Sequence, residues 1–163
     1  MSPLPADNYD EVRVLIGPSA LATPISGVHV MRQNLLDTID RANRSLLIAG
    51  YMLNSNEIFE RLLPKCSTIE VTIHLDHTQT MVDTRAKKIY RELQNAGAII
   101  KLHCEIGEGS MHAKVIIADD FEAIVGSANL TYSGADRNIE IGLRLRGPSV
   151  RILRKSVIES MRD

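Results

Sequence analysis

The spacing of apolar and polar residues along the chain predicts a series of strands separated by helices. Apolar and polar residues alternate from Glu11 to Ile16, as in a strand that can lie at a sheet edge, whereas Ser45 to Met52 is nearly all apolar, as in a central strand covered on both faces. Further strands are predicted over residues 69–75, 98–103, 111–118, 122–125 and 138–146. The strands at 111–118 and 122–125 are interpreted as the two arms of a hairpin.

Helical spacing of apolar residues fills the segments between those strands. Ser26 is a candidate N-cap for a helix that reaches about Arg44, on which Met31, Leu35 and Ile39 share one face. The other predicted helices begin at Asn54 or Ser55, at Asp83 and at Pro148, and a loop is predicted over residues 76–80. Helices that alternate with buried strands predict an α/β fold, a layered α/β/α sandwich around a mixed, mostly parallel central sheet.

The length of the chain is that of one ordinary domain. Its 163 residues, 44% of them hydrophobic, are sufficient for a single core. Residues 1–10 are mostly polar, so we interpret them as a loose lead-in and residues 11–163 as one domain. The first residues lack the basic and apolar segments of a secretory signal, and no stretch has the apolar length of a membrane-spanning helix. These features predict a cytoplasmic protein without stable membrane association.

The segment from residue 112 to residue 129 holds several reactive side chains at fixed spacing. His112 and Lys114 are followed by Asp119 after four apolar residues, and Ser127 and Asn129 come after a second predicted strand. Because side chains alternate along a strand, His112 and Lys114 point to the same face, and Ser127 and Asn129 can share a face in the same way. Two adjacent strand ends can therefore present an imidazole, an ammonium group, a hydroxyl and a carboxamide to one phosphate.

This pattern, H-x-K-x4-D-x6-G-S-x-N, resembles the HKD motif of the phospholipase D superfamily, with every defining residue type at the family spacing. The predicted order of elements over roughly residues 11–160 is similar to one phospholipase D-like domain, and the single motif resembles the branch of small bacterial endonucleases. Larger members carry two motifs that build one active site. In this chain no other histidine is followed by a lysine two residues later. The resemblance therefore implies a homodimer with the active site at its two-fold interface.

The resemblance also implies a role for each residue of the motif. His112 of one subunit would be the nucleophile that forms a phosphohistidine, and His112 of the other subunit would be the general acid and base. Lys114 and Asn129 would bind the phosphate oxygens. Ser127 would either bind phosphate or brace its loop. Glu140 matches a carboxylate that orients the histidine in single-motif members, and its alternative is a solvated strand residue.

Asp119 and Arg137 lie at the margins of the candidate site. Asp119 belongs to the motif, but it ends a strand, so we expect it to hold local structure by turn hydrogen bonds or a salt bridge. Arg137 is a candidate phosphate contact. The motif supplies no set of metal ligands, so neither a metal nor another cofactor is expected. Further candidate contacts with a nucleic acid backbone are Arg85, Lys87, Lys88, Arg91, Arg144, Arg146 and Arg151.

Composition leaves the substrate open between a nucleic acid and a lipid head group. Nineteen Lys and Arg against twenty Asp and Glu give a formal charge of −1, so overall charge does not indicate nucleic acid binding. Four Tyr, two Phe and no Trp leave little material for base stacking. A nucleic acid substrate, DNA or RNA, is the preferred hypothesis because of the endonuclease resemblance and the polar loops. Small members of the superfamily also occur in prokaryotic defence systems.

Two other functions remain open at this point. A phospholipase or phosphatidyl transferase would use the same chemistry on a lipid, and a non-catalytic module would only bind phosphate-bearing partners. Cys66 and Cys104 are too few for a disulfide framework and are interpreted as buried free thiols. With His74, His77 and His103, Cys104 has the residue types of a zinc site, but the spacing fits no closed zinc finger.

Overall fold

Eight strands form one mixed sheet in the computed structural model, which describes residues 10–18, 27–104 and 110–161. In chain order they are β1 (Glu11–Gly17), β2 (Val28–Val30), β3 (Ser45–Gly50), β4 (Glu70–Asp76), β5 (Ile99–His103), β6 (Val115–Ala118), β7 (Glu122–Gly126) and β8 (Glu140–Arg146). Their order across the sheet is β2-β1-β8-β7-β6-β3-β4-β5. The predicted mixed sheet is confirmed, but the prediction that it is mostly parallel is wrong. Only the pairs β1–β2, β3–β4 and β4–β5 are parallel, and the other four are antiparallel.

Six helices lie between and after these strands in the described ranges. They are α1 (Met31–Arg41), α2 (Asn56–Lys65), α3 (His77–Val82), α4 (Thr84–Asn95), α5 (Tyr132–Asp136) and α6 (Ser149–Ser160). The Ser55 side chain accepts a hydrogen bond from the backbone N–H of Ile58, and the Asp83 side chain accepts one from Ala86. Each of these oxygens satisfies a donor that the first helical turn leaves unpaired. The predicted starts of α2 and α4 are therefore confirmed.

Several predicted boundaries differ from the structure. The first helix begins at Met31 because Val28–Val30 pairs with β1 as a strand, and the predicted cap Ser26 lies outside the described residues. The same helix ends at Arg41, short of the predicted Arg44. The segment predicted as a loop contains α3, whose first turn is capped by the carboxylate of Asp76. Strand β1 lies between β2 and β8 and is not an edge.

Helices cover both faces of the sheet, as the layered prediction requires. Alternate residues of β3 divide between two apolar clusters: Leu46 and Ile48 pack with residues of α1, α2 and α4, whereas Leu47 and Ala49 pack with Val150 and other residues of α6. Side chains on a strand point alternately to opposite faces, so the two clusters lie on opposite sides of the sheet. The α/β/α arrangement is confirmed, with β3 buried at its centre.

The alternating pattern over residues 138–146 does mark a strand, but the apolar side of β8 is its exposed side. Ile141 and Leu143 are 61% and 41% exposed, whereas Glu140 and Arg144 are buried. The Arg144 guanidinium donates to the Asn34 carboxamide of α1, so the polar side of β8 faces the helix. Residues on the adjoining part of β1 are exposed as well. We call this surface the apolar strip, and it consists of Val12, Val14, Ile139, Ile141 and Leu143.

The hairpin of β6 and β7 forms as predicted and places the motif at the edge of the sheet. Val115 pairs with Val125 at the open end of the hairpin. His112 and Lys114 precede β6 and are not part of it, because the strand starts at Val115 and not at the predicted residue 111. At the end of β7, a Cβ on Gly126 would lie 2.8 Å from the Cα of Gly142 on β8, so only glycine permits this approach of the two strands.

Candidate active site

The candidate site lies at the edge of the sheet where β7 ends and β6 and β8 begin. His112 and Lys114 come just before β6, Ser127 and Asn129 just after β7, and Glu140 opens β8. These strands are antiparallel neighbours, so the end of one lies beside the start of the next. A backbone hydrogen bond of 3.3 Å from the Gly126 N–H to the Lys114 carbonyl joins the two halves of the motif. The fold therefore brings together five of the side chains selected from the sequence.

His112 and Lys114 point to the same side, as their spacing predicts. The Lys114 ammonium lies 3.1 Å from Nδ1 and 3.3 Å from Nε2 of His112, and it donates to the His112 carbonyl over 2.9 Å. The imidazole itself is exposed. A cation and an exposed imidazole within one hydrogen-bond distance can contact the same phosphate group.

Tyr51 is a member of this group that sequence reasoning missed. Its ring meets the His112 ring edge to face with centroids 4.9 Å apart, and the Lys114 ammonium lies 5.8 Å from the Tyr51 centroid. Tyr51 directly follows the central strand β3, and ligand sites in α/β sheets lie at such strand ends. That position after a buried strand was the signal that could have identified it.

Burial changes the proton affinity of Lys114. Removal of the ammonium from water lowers the pKa of Lys114, and the nearby Glu140 carboxylate opposes part of that change. The half-buried cation is consequently less well solvated than a surface lysine. An anion placed beside it would meet a charge that little water screens.

Asn129 presents a buried polar atom without a partner. Its Oδ1 makes no hydrogen bond within the described part of the chain, although the atom is buried. The Asn129 backbone packs closely against Gly134 of α5, since a Cβ on Gly134 would lie 2.5 Å from the Asn129 carbonyl oxygen. Nearly all buried polar atoms in folded proteins are hydrogen-bonded, so an orphan at this position is typical of a ligand site. Rotation of the carboxamide would offer its NH₂ group to a phosphate oxygen.

Ser127 and Glu140 form a network beside these residues. The Ser127 hydroxyl donates to the Glu140 carboxylate and accepts from the Ile141 N–H at 3.1 Å, while the Ser127 N–H donates to the Ile141 carbonyl at 3.0 Å. The Asn138 amide donates to the second Glu140 oxygen at 3.4 Å. Within the described ranges, the partners of Glu140 are thus Ser127 and Asn138, and not the expected imidazole of His112. Both Ser127 and Glu140 fasten β7 to β8 at the site.

Arg137 lies on an exposed loop between α5 and β8, on the same side of the sheet edge as Glu140. Its guanidinium group lies 4.8 Å from the centroid of the Tyr132 ring. Such a stacked arginine retains its outward N–H donors for an anion. The predicted contact of Arg137 with phosphate stays a prediction.

Asp119 lies apart from the site, at the opposite end of β6. Its carboxylate accepts hydrogen bonds from the backbone N–H groups of Arg44 at 2.8 Å and Ser45 at 3.0 Å, and more weakly from that of Asn43. Burial raises the pKa of Asp119, but these backbone donors outweigh it and lower the pKa below its usual value. The residue has a φ of 54°, a left-handed conformation that Asp tolerates better than most residues. Asp119 thus holds local structure, as its position at the strand end predicts.

A second charged group at that opposite end consists of Glu122 and its partners. Arg41 Nη2 donates to the Glu122 carboxylate at 2.5 Å, Thr38 at 2.5 Å and Arg146 Nε at 2.7 Å. Burial raises the pKa of Glu122, but the three donors reverse this effect and lower the pKa to about 2. Arg146 is thus paired with Glu122, and the buried Arg144 donates to Asn34. Their predicted contact with a nucleic acid backbone stays a prediction.

Within the described ranges, the cysteines and the remaining histidines do not form one metal-binding cluster. Cys66 is buried as expected, but Cys104 is exposed because it follows the end of β5. His74 and His103 meet, with 2.8 Å between Nδ1 of the first and Nε2 of the second. Across the described ranges, no three His, Cys, Asp or Glu side chains are grouped so that they could hold a metal ion, so the zinc alternative has no assembled site. None of the helices in those ranges has the length and apolar character to cross a bilayer.

Comparison with known protein families agrees with this geometry. Residues 35–160, which include the whole motif, match the family described as "Cardiolipin synthase, PLD-like domain". The chain belongs to the phospholipase D-like family. The match extends from α1 to the end of α6, so the helices on both faces of the sheet and the candidate site are part of the family domain.

Solved structures confirm the phospholipase D-like fold. The phospholipase D family member Nuc from Salmonella typhimurium superposes with a TM-score of 0.77 at 22% identity, covering 93% of this chain and 91% of that chain. NucT from Helicobacter pylori gives 0.74 at 20% identity, covering 94% and 96%. Phosphatidylserine synthase from Haemophilus influenzae gives 0.66 at 17% identity and covers 98% of this chain but 40% of that chain. At these identities the likeness concerns the fold.

Two curated relatives match over most of this phospholipase D-like chain. The DISARM protein DrmC of Bacillus paralicheniformis is 32% identical over 131 residues, which are 78% of this chain and 54% of that protein. Cardiolipin synthase A of Buchnera aphidicola is 27% identical over 119 residues, 71% of this chain and 24% of that protein. The chain thus spans about half the length of DrmC and about a quarter of the length of cardiolipin synthase A.

Proposed function

We propose that this chain is a metal-independent endonuclease that cleaves DNA or RNA through a phosphohistidine, at a site shared by two subunits in the cytoplasm. The observation that carries the proposal is the arrangement of His112, Lys114 and Asn129. An exposed imidazole lies within hydrogen-bond distance of a half-buried ammonium group, beside a buried carboxamide oxygen without a partner. A phosphodiester can contact all three residues at once, because its anionic oxygens accept from the Lys114 ammonium and, after rotation of the carboxamide, from the Asn129 NH₂ group, while its phosphorus faces His112.

The proposed reaction has two steps that conserve every proton. A neutral His112 attacks phosphorus, so that an N–P bond forms as the P–O bond to the leaving oxygen breaks, and that oxygen takes a proton from His112 of the second subunit. Water then attacks phosphorus and gives a proton to this second histidine, and the N–P bond breaks. Lys114 and Asn129 stabilise the charge on the equatorial oxygens in both steps. Glu140 acts through Ser127, which it positions.

The second subunit is part of the proposal because one chain carries one copy of the motif. The apolar strip supports a docking surface for an identical chain. Its residue Ile141 exchanges two backbone hydrogen bonds with Ser127, so the strip is continuous with the candidate site. Exposed apolar side chains in one strip of sheet are typical of a subunit interface. A two-fold axis beside this strip would bring a second His112 toward the same phosphate.

Nucleic acid is the preferred substrate because of two of the matching proteins, Nuc and DrmC. Nuc is covered to 91% by this chain, and DrmC, named as a DISARM protein, is 32% identical. The name of the second supports a role in a prokaryotic defence system. A lipid head group is the second candidate, since the matching family description and a curated relative both carry the name cardiolipin synthase. A module that binds phosphate without catalysis is the third.

The test is an incubation of the purified chain with plasmid DNA, single-stranded DNA, RNA, a generic phosphodiester and phospholipid vesicles, each with excess chelator. We expect cleavage of a nucleic acid in the presence of chelator and its loss in His112→Asn. His29→Asn, on the short strand β2, is the matched control and should retain activity. Strict dependence on added divalent metal contradicts the mechanism. If only lipid is turned over, the substrate is a lipid head group and not a nucleic acid. If no compound is turned over, the chain is a module that binds phosphate without catalysis.

The shared site has a separate test in sedimentation. Ile141→Lys places a charge in the apolar strip, so we expect it to convert a dimer to an inactive monomer. Val82→Lys is the control, since Val82 is 79% exposed and lies at the end of α3. A wild-type monomer with full activity contradicts the shared site. A dimer that survives Ile141→Lys assigns the interface to another surface.

A further inference from the structure

A pair of stacked histidines lies outside the residues assigned so far. The rings of His74 on β4 and His103 at the end of β5 have centroids 5.0 Å apart and planes inclined by 27°. A hydrogen bond of 2.8 Å joins Nδ1 of His74 to Nε2 of His103. His74 is 5% exposed, so its ring is held by the surrounding core. The half-buried ring of His103 is thereby fixed in one orientation.

His103 and His112 share one cavity. The cavity has a volume of about 340 Å³, and its described walls are His103 and Cys104 at the end of β5, Ser110 to Ala113 before β6, and Ser160 and Met161 at the end of α6. Since His112 is one of these walls, a group bound in the cavity lies next to the phosphate on which His112 acts. The volume is in the range of small-molecule sites, several hundred Å³.

The chemistry of the walls selects the kind of group that fits. The described walls include no Lys, Arg, Asp or Glu, so they offer no charged side chain to a second phosphate. It combines a fixed imidazole with the apolar side chains of Met111, Ala113 and Met161 and with the hydroxyls of Ser110 and Ser160. A flat heteroaromatic ring uses all of these, because it stacks on imidazole and apolar surface and forms hydrogen bonds at its edge.

We propose that this cavity binds the base of the nucleotide next to the scissile phosphate, with the base stacked on the His74–His103 pair. The inference rests on the proposed nuclease function and names the part of the substrate that the site recognises. It differs from the expectation from composition, in which few Tyr, Phe and Trp residues leave little material for base stacking. Because His74 already orders the His103 ring, base binding loses little side-chain entropy.

The first test compares two end-labelled single-stranded oligonucleotides of equal length and charge, with chelator present. One has ordinary bases, and the other has abasic tetrahydrofuran residues. Alanine substitution of a stacking residue usually weakens binding of one base by an amount that corresponds to about fivefold to 100-fold. We therefore expect kcat/KM to be higher by that factor for the ordinary substrate. His103→Ala should move this ratio toward one by slowing the substrate with bases. His103→Phe, which keeps a ring, should restore the ratio, and the matched control His29→Ala should leave it unchanged.

Each outcome of this comparison decides one point. Equal cleavage of both oligonucleotides by the wild-type chain overturns the base subsite and leaves the nuclease function intact. Equal slowing of both by His103→Ala assigns the residue a structural role and also overturns the subsite. Cleavage of neither overturns the proposed function, and the subsite is then decided by a binding measurement that needs no catalysis.

Cys104 supplies that measurement. The chain has two cysteines, of which Cys66 is buried and Cys104 is exposed in the cavity wall, so a thiol reagent should label Cys104 first in the folded protein. In the His112→Asn variant, we expect the oligonucleotide with bases to slow this labelling, the abasic one to slow it less, and His103→Ala to remove the difference. Equal protection by both oligonucleotides, or protection by neither, overturns the subsite.

Discussion

The two ends of the hairpin of β6 and β7 carry charged side chains of very different character. At the turn end, the Asp119 carboxylate accepts from three consecutive backbone N–H groups, and Glu122 accepts from Thr38, Arg41 and Arg146. At the open end, Asn129 has a buried oxygen without a partner in the described ranges, and the exposed His112 contacts a cation. The same strands therefore support a fully paired polar cluster at one end and an incompletely paired one at the other.

Polar clusters that stabilise the fold are fully paired, whereas polar clusters that bind a ligand keep unpaired groups. A buried carboxylate that gains several donors repays its desolvation and stabilises the folded state. Polar groups that are aimed at one point and lack partners reduce stability, and a bound ligand is one explanation for them. The comparison predicts that substitutions at the open end change activity, whereas substitutions at the turn end change the free energy of unfolding.

The largest effect is expected for Lys114→Met at the open end. Loss of one preorganised charge on a transition state costs about 100-fold to 1,000-fold in kcat, while removal of a half-buried cation should leave the unfolding transition almost unchanged. The measurement is cleavage of a labelled oligonucleotide together with thermal unfolding. Lys155→Met on α6, where the lysine is 76% exposed, is the matched control and should retain activity. A parallel fall in stability would assign Lys114 to the scaffold and break the comparison.

Glu122→Gln tests the turn end through the pH dependence of stability. The Glu122 pKa is lowered from 4.5 to about 2 in the folded chain, so the folded state binds this proton less tightly than the unfolded state does. Its stabilisation is present above pH 4.5, is lost as pH falls to about 2, and amounts to on the order of 3 kcal/mol. Denaturant unfolding should show a higher free energy of unfolding for the wild type than for Glu122→Gln at neutral pH, and this difference should disappear as pH falls from 4.5 to about 2. A difference that stays constant with pH would contradict the ionic account.

Glu140→Gln probes the connection between the site and the scaffold. A carboxylate that positions a neighbouring side chain typically contributes 10-fold to 100-fold to activity, so we expect a loss of about that size with little change in the melting temperature. The kcat and KM should be measured separately, because displacement of Ser127 affects the reacting geometry more than general affinity. Glu70→Gln, at an exposed position on β4, is the control. Unchanged kinetics would show that Ser127 needs no such partner.

Asp119→Ala should give the smallest effect, although the residue belongs to the recognised motif. Removal of the acceptor for the Arg44 and Ser45 N–H groups is comparable to the loss of a helix cap and costs about 1 kcal/mol of stability. Activity should follow only the fraction of folded protein. The check is denaturant unfolding alongside the cleavage assay. A large loss of kcat in a fully folded variant would place Asp119 in the reaction and remove the contrast between the two ends.

Local patterns predicted the parts of the fold that local forces determine. The buried run of β3, the hairpin, and the caps Ser55 and Asp83 follow from apolar spacing and from side chains that pair with their own helix. The proximity of His112, Lys114, Ser127 and Asn129 follows from the hairpin as well. The family resemblance then explains why these types occur together.

Other features depend on contacts between distant segments, and the sequence did not reveal them. The alternation of residues in β8 predicts two faces but does not indicate which face α1 covers. The exposure of Ile141 was therefore missed, because α1 covers the polar face. The short helix α3 is held by the Asp76 cap although its residues suggested a loop. Tyr51 and the His74–His103 pair belong to the site region only because β3, β4 and β5 end at the same edge.

The close approach of Gly126 and Gly142 limits how this site can be altered. A methyl group on Gly126 would meet the backbone of β8 at 2.8 Å, and one on Gly142 would lie 3.0 Å from the Val125 carbonyl oxygen. Substitutions around the cavity are therefore less constrained by the backbone than substitutions at these two glycines. Because these two residues have no side chains, β7 and β8 can approach closely. A single added carbon would push the strands apart and displace Ser127 and Glu140.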